Sequence, residues 1–234
     1  MCGRYIILSG RKIFATTELL EKLDRDKIPY LDVPRYNVSP ASKAPIVVNR
    51  KDGPQVLEAT WWLIPRWSKT GKPDMQFPAF NARSESIDTS KLFAPCFKSH
   101  RCLVPADGFY EWKKISAKEK HPMCIRLKDE RPMFFGGVYS IWKDQEEKEH
   151  PSFSIITTEP NKLMSEIHNR MPVIMPEKHF AQWLDPNNID LPTLKKFLVP
   201  YPDKEMTAYR VSNYVSNARN QGEECMLPLK EPEA

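Results

Sequence analysis

No stretch of about eighteen apolar residues occurs anywhere in the 234-residue chain, which excludes a membrane-spanning helix. Met1 is followed by Cys2, Gly3, Arg4 and Tyr5, with neither a basic leader nor an apolar segment behind it. A soluble protein that stays where it is made is therefore expected. Low-complexity tracts and internal repeats are absent too, and the length suits one large domain with a real core. The five cysteines, Cys2, Cys96, Cys102, Cys124 and Cys225, are an odd and scattered set, a poor disulfide framework that reads as reduced thiols in a cytosol or nucleus. Charge of one sign is also lacking. Thirty-five Lys and Arg against thirty Asp and Glu leave +5, a mild excess that permits a polyanionic partner without demanding one.

Proline, by contrast, is abundant. The 22 prolines are about twice the usual frequency and are spread along the chain, as stiff turns between short strands would require. Segments 45–49, 55–64, 101–112, 122–127, 133–142 and 152–158 are rich in β-branched and aromatic residues and read as strands. Ile13, Leu19, Leu20 and Leu23 mark an amphipathic helix between Lys12 and Asp26. A second helix is expected from Pro160, striped by Leu163, Met164 and Ile167 and ended before Pro172, with shorter ones at 176–183 and 191–197. The order implies an α+β domain over residues 1–229, with a curved, barrel-like, mainly antiparallel sheet and flanking helices. Residues 230–234 are expected to form a charged flexible tail.

Cys2 is the residue whose position carries chemical meaning. If Met1 is removed, one residue bears both a free amine and a free thiol. An unperturbed α-amine has a pKa of about 7.7–8.0, so part of it is neutral at physiological pH and able to form a Schiff base with an aldehyde. The tethered thiol then closes onto the same carbon as a five-membered thiazolidine, with the high effective concentration of an intramolecular step. Taken alone, a Met-Cys start reads more readily as a terminus without a role.

Three further stretches offer chemistry. If Asn81-Ala82-Arg83-Ser84-Glu85 is extended, Asn81, Arg83 and Glu85 share a face, though the same residues could cap a turn. Glu111 sits in an aromatic strand with Phe109 on its own face and Tyr110 and Trp112 on the other. Desolvation there would favour the protonated carboxyl and suit it to general acid and base work; an edge strand would instead turn it to water or to an arginine. His168 falls where a helix should end, followed by Arg170, placed to shuttle protons or simply to hold structure. Cys96, His100 and Cys102 lack zinc-like spacing and a fourth ligand, so no metal and no cofactor is expected. Aromatic residues interleave with basic ones at 35–40 and 61–69, as in single-strand binding surfaces. Trp61 and Trp62 read as core there, and Trp67 as exposed.

Taken together, the Met-Cys-Gly-Arg-Tyr start, Arg35-Tyr36-Asn37-Val38-Ser39-Pro40, Asn81-Ala82-Arg83-Ser84-Glu85, Gly108-Phe109-Tyr110-Glu111-Trp112, His168-Asn169-Arg170-Met171-Pro172 and the late stretch from Val211 to Gly222 resemble the SOS response-associated peptidase (SRAP) family, in family order over nearly the whole chain. The resemblance implies covalent capture of abasic sites in single-stranded DNA. Cys2 would be the nucleophile, Asn81 would position the terminus and sugar, Glu111 would move protons, and His168 would assist ring opening or reversal. Arg4, Arg83 and Arg170 would hold phosphates, and Trp67 would stack on a base. The implied setting is a monomer in a bacterial cytoplasm, with abasic single-stranded DNA as partner and no membrane. Two other readings remain at this point: a cysteine-dependent, self-processing peptidase, and a single-strand binding module without catalysis. The sequence departs from the family at Trp62, where glycine is common, and at Ser68, where some members carry another aromatic.

Overall fold

The computed structural model describes residues 2–8 and 33–229; the helix expected over 12–26 and the tail expected over 230–234 lie outside them. Twelve strands form two sheets among the described residues. β3 (Lys43–Arg50) and β4 (Gly53–Trp61) make a hairpin in register Val47↔Val56, its turn closed by Gly53 at φ 97°, a conformation that favours glycine. β3 then pairs with β6 (Arg101–Ala106), β6 with β9 (Met133–Lys143), β9 with β10 (Glu149–Thr158), and β10 with β4. That circuit closes a barrel. All its pairings are antiparallel except β10 with β4, which agrees with the expected curved, mainly antiparallel sheet. β9 passes so near its neighbours that a Cβ on Gly137 would lie 2.8 Å from Cys102 Sγ and 2.9 Å from Ser154 O; a larger residue there would force the wall open.

Two short strands extend the barrel beside β10. β5 (Asn81–Arg83) continues the line of β4, pairing Asn81 with Ile155 and Arg83 with Thr157. On the other flank, β11 (Met171–Pro172) meets Thr158 and Thr157. The second sheet is antiparallel, in the order β12 (Met206–Arg210), β8 (Lys120–Leu127), β7 (Gly108–Lys114), β1 (Arg4–Ile7), β2 (Arg35–Val38). Alternation along β1 and β7 joins the sheets: paired Tyr5 and Phe109 turn inward, Tyr5 edge-on to Trp61 at 5.0 Å and Phe109 edge-on to Phe135 at 5.9 Å. Ile6 and Tyr110 turn the other way, onto Val211, Val215 and Cys225.

The segment read as one strand from 101 to 112 is two. At Asp107 the chain leaves the barrel for the second sheet, its N–H donating to Ile6 O at 2.8 Å while its carboxylate accepts Leu8 N–H at 2.6 Å. β1, β2 and β12 escaped the sequence reading because each is too short for a period to emerge. α1 (Ala94–Ser99), with Pro95 in its first turn, was also missed. The helix expected from Pro160 is the single turn α2 (Lys162–Ser165), started instead by Asn161, whose side chain accepts Met164 N–H at 2.9 Å. Segment 176–183 is a 3-10 turn at Glu177–His179 running into α3 (Phe180–Leu184), and 191–197 is α4 (Leu191–Lys195).

Two of the motifs that carry the family resemblance, 35–40 and the stretch from Val211 to Gly222, turn out to hold the fold. Buried Asn37 donates through Nδ2 to Val215 O and Asn217 O at 3.0 Å and to Asn220 O at 3.1 Å, while Gln221 grips its backbone at both N–H and C=O. The late stretch is thereby clamped over the outer face of the second sheet. Removing a buried amide that satisfies several carbonyls costs about 1–3 kcal/mol. Asn37→Ala is accordingly expected to lower the urea midpoint by about 2 kcal/mol equivalent with an unchanged m-value. A midpoint equal to wild type would refute the clamp.

Candidate active site

Cys2 precedes β1 and is fully buried. Its position is fixed from two sides. β1 pairs Arg4 with Tyr110 and Tyr5 with Phe109 on β7, and Asn81, at the start of β5, donates Nδ2 to Cys2 O at 2.8 Å. Asn81 Oδ1 is buried and has no hydrogen-bond partner among the described residues. An acceptor left so is costly, and it stands beside the residue singled out for chemistry.

Glu111 follows Tyr110 on β7 and points, like Phe109, to the barrel side. β7 lies between β1 and β8, so the edge-strand alternative is excluded, and Glu111 is buried. Burial pushes its carboxyl up to about 7, within the range where one group can both give and take a proton. The Cys2 thiol is raised further, by its own burial first and then by the negative charge of Glu111. In the resting site the thiol is held protonated.

His168 lies beyond α2, not within it; its backbone N–H closes onto Met164 O. Its Nε2 is 3.9 Å from Glu111 Oε2. Nδ1 lies 3.1 Å from Arg170 N–H and 3.3 Å from Arg170 O, so the Arg170 backbone holds this edge of the ring and Nε2 is turned toward the carboxyl. Burial lowers the pKa of this ring from its ordinary value, and the neutral form prevails at pH 7.

The four expected catalytic residues therefore converge, carried by β1, β5, β7 and the loop before β11. The expected phosphate ligands are more mixed. Arg83 projects from β5 and is exposed. Arg4 is half-buried, donating Nη1 to Gly3 O at 3.0 Å while its Nε is buried without an acceptor. Arg170 is engaged by the protein: its fork meets Glu85 at 2.5 and 3.0 Å and Thr157 O at 2.7 Å, with Nε again buried and lacking an acceptor. The extended face expected for Asn81, Arg83 and Glu85 stops at Arg83, because Ser84–Ser86 coil into a 3-10 turn that delivers Glu85 to Arg170. Thr157 went unnoticed in the sequence, since nothing in its alternating strand marks it as an anchor for Arg170. Trp67 sits in the connection from β4 to β5 and is 76% exposed, whereas Trp61 and Trp62 are buried, as expected. Trp62 packs on Phe80 at 5.3 Å. Among the described residues no three His, Cys, Asp or Glu side chains converge as metal ligands, and no helix is long and apolar enough to cross a membrane.

Residues 1–218 match the family model described as SOS response associated peptidase (SRAP). The Bacillus subtilis protein named abasic site processing protein YoaM is 36% identical over 228 residues, 97% of each chain. The Rattus norvegicus abasic site processing protein HMCES is 31% identical across all of this chain and 79% of its own. An X-ray structure of a protein from Bacteroides thetaiotaomicron matches with a TM-score of 0.78 at 26% identity, covering 98% of this chain and all of that one.

Because the Glu111 carboxyl titrates near 7 when folded and at 4.5 ordinarily, its contribution to stability is complete below about 4.5 and is lost as pH rises through 7. Between pH 5 and pH 8 this group is expected to cost the wild type about 2–3 kcal/mol, and Glu111→Gln is expected to lack that slope. Urea midpoints of both proteins at the two pH values measure it; parallel profiles would contradict the buried carboxyl.

Proposed function

The chain belongs to the SOS response associated peptidase family, and on that footing we propose that it captures abasic sites in single-stranded DNA covalently through Cys2. The observation that carries this reading is the convergence of a buried carboxyl near neutrality, a neutral histidine and an orphaned amide oxygen on a residue that becomes the amino terminus once Met1 is hydrolysed away.

The resting protonation states set the order of events. The thiol is protonated, so the amine leads. Neutral Cys2 amine adds to the C1′ aldehyde of the ring-opened deoxyribose, and the carbinolamine loses water to give a protonated Schiff base. Protonated Glu111 supplies the proton that departs with that water. As carboxylate it then takes the thiol proton, and sulfur attacks the imine carbon: the C–S bond forms, and the imine's electron pair returns to nitrogen as a secondary amine. The balance is protein plus aldehyde minus one water. Asn81 holds the Cys2 carbonyl with one amide atom and offers the other to the amine or sugar. His168, with Nε2 turned toward Glu111, exchanges protons with it and serves ring opening and reversal. Arg4 and Arg83 grip phosphates beside the lesion, with Arg170 joining them where a phosphate takes the place of Glu85 on its fork.

Intact-mass spectrometry after incubation with a strand bearing one abasic site is the direct test. Wild type is expected to give one heat-stable adduct equal to protein from Cys2 onward plus oligonucleotide minus water, without borohydride. Cys2→Ala should give none while still binding the strand, and Glu111→Gln should slow capture at pH 7 by about 100-fold or more. An undiminished adduct from Cys2→Ala would sink the proposal.

A further inference from the structure

Three cavities run together along the barrel flank. The first, about 940 Å³, is walled by Trp62, Trp67, Met75 and Phe77 and reaches Ala79, just before Asn81. Across Trp67 and Lys91 it continues into a pocket of about 300 Å³ beside His100. That pocket shares Arg66 and His100 with a third, about 320 Å³, edged by Arg50, Tyr139 and Lys143. The trough thus begins near β5 and ends beside Glu149 at the start of β10. Ile155 lies opposite Asn81, and at a rise of about 3.3 Å per residue Glu149 is about 20 Å farther along the strand.

Its walls change character on the way. The near end is aromatic, with Trp67, Met75 and Phe77 all exposed. Cations line it throughout: Lys69 and Lys72 stand with Asp74 at the aromatic end, Lys91 at the junction with the second pocket, and Arg66, Arg50 and Lys143 with Glu149 farther on. Glu149 takes Arg50 at 3.0 Å, and Glu147 takes Lys143 at 2.7 Å. Arg66 has no carboxylate partner among the described residues. Its Nη2 donates to His100 Nε2, and His100 Nδ1–H donates to Ser99 Oγ at 2.8 Å, so the imidazole is neutral and acts as a rest for the guanidinium. Burial, then Arg66, Arg50 and Arg101, hold His100 down to about 4, a mark of the positive field there.

We propose that the trough is a second binding region for the substrate strand, in which Arg66, resting on His100, grips a backbone phosphate a few nucleotides from the lesion while Trp67 and Phe77 stack the intervening bases. The planar fork of arginine suits a phosphodiester, and aromatic faces accept any base. This inference rests on the reading of Cys2 as the capture site, because it takes the same strand as occupant.

Arg66→Gln and Lys143→Gln alter exposed side chains outside the capture chemistry. Their binding to two single strands, each with one unreactive tetrahydrofuran abasic analogue, is measured by anisotropy across a salt series; the short strand ends beside the lesion and the long one extends well past it. For the long strand, each variant is expected to bind severalfold more weakly, with a slope of log K against log salt shallower by about 0.7 per lost phosphate contact. The short strand should bind as tightly as to wild type. An unchanged slope on the long strand, or an equal loss on the short one, overturns the proposal. So does movement of the His100 ring resonances with inorganic phosphate alone and not with the long strand, which would mark a free-anion site. Capture of a reactive abasic strand by wild type is followed in parallel. Its failure would bring down the Cys2 reading and this one with it, whereas normal capture with an unchanged Arg66→Gln slope would bring down only the trough.

Discussion

The ends of a chain are ordinarily its loosest parts; here the segment that opens on Cys2 is held from two sides. β1 runs between β2 and β7, bonded on both edges, and Asn81 reaches from the other sheet to hold the Cys2 carbonyl. Every other feature of the site depends on that double restraint. Tyr5 can join the barrel core only if β1 keeps its register with Phe109, and the same register sets Glu111 next to the residue it serves. A terminus free to swing would spread its amine over a large volume and forfeit the effective concentration on which the proposed capture relies.

Burial tunes the chemistry as well as the geometry. One dry environment raises the carboxyl of Glu111 to about 7, holds the Cys2 thiol protonated and keeps His168 neutral. None of these shifts needs a metal or a strong counter-charge, because desolvation leads in all three. The cations are kept at the margin: Arg83 is exposed, and Arg170 is tied to Glu85. Placing fixed charge inside would have pulled Glu111 back toward an ordinary acid.

Much of this was legible in the sequence where alternation or chemistry is local. Phe109 and Glu111 share a face because strands alternate, and Trp67 follows Pro65 and Arg66 in a turn that cannot bury it. What the sequence hides are relations between distant segments. Asn37 stands in a stretch that reads as a nucleic-acid surface, yet its partners are carbonyls from Val215 to Asn220. Glu85 looks like a strand residue until the backbone coils at Ser84 and hands it to Arg170. The break at Asp107 is invisible in an unbroken apolar run, because only the meeting with Ile6 and Leu8 shows that the chain changes sheets there. Arg66 and His100, separated by a helix and a loop, carry no joint signal at all.

The central place of β1 also has a temporal side. β7, which flanks it and carries Glu111, is made only after about 100 further residues have left the ribosome, an interval on the order of 5–20 s at ordinary rates of synthesis. Through that interval the first strand has no partner on that edge and the bond ahead of Cys2 stays open to an aminopeptidase. Once β7 arrives and Cys2 is covered, the opportunity closes. On the reading proposed above, maturation of the terminus and folding of the sheet would thus be ordered by the distance along the chain between two strands that end up side by side.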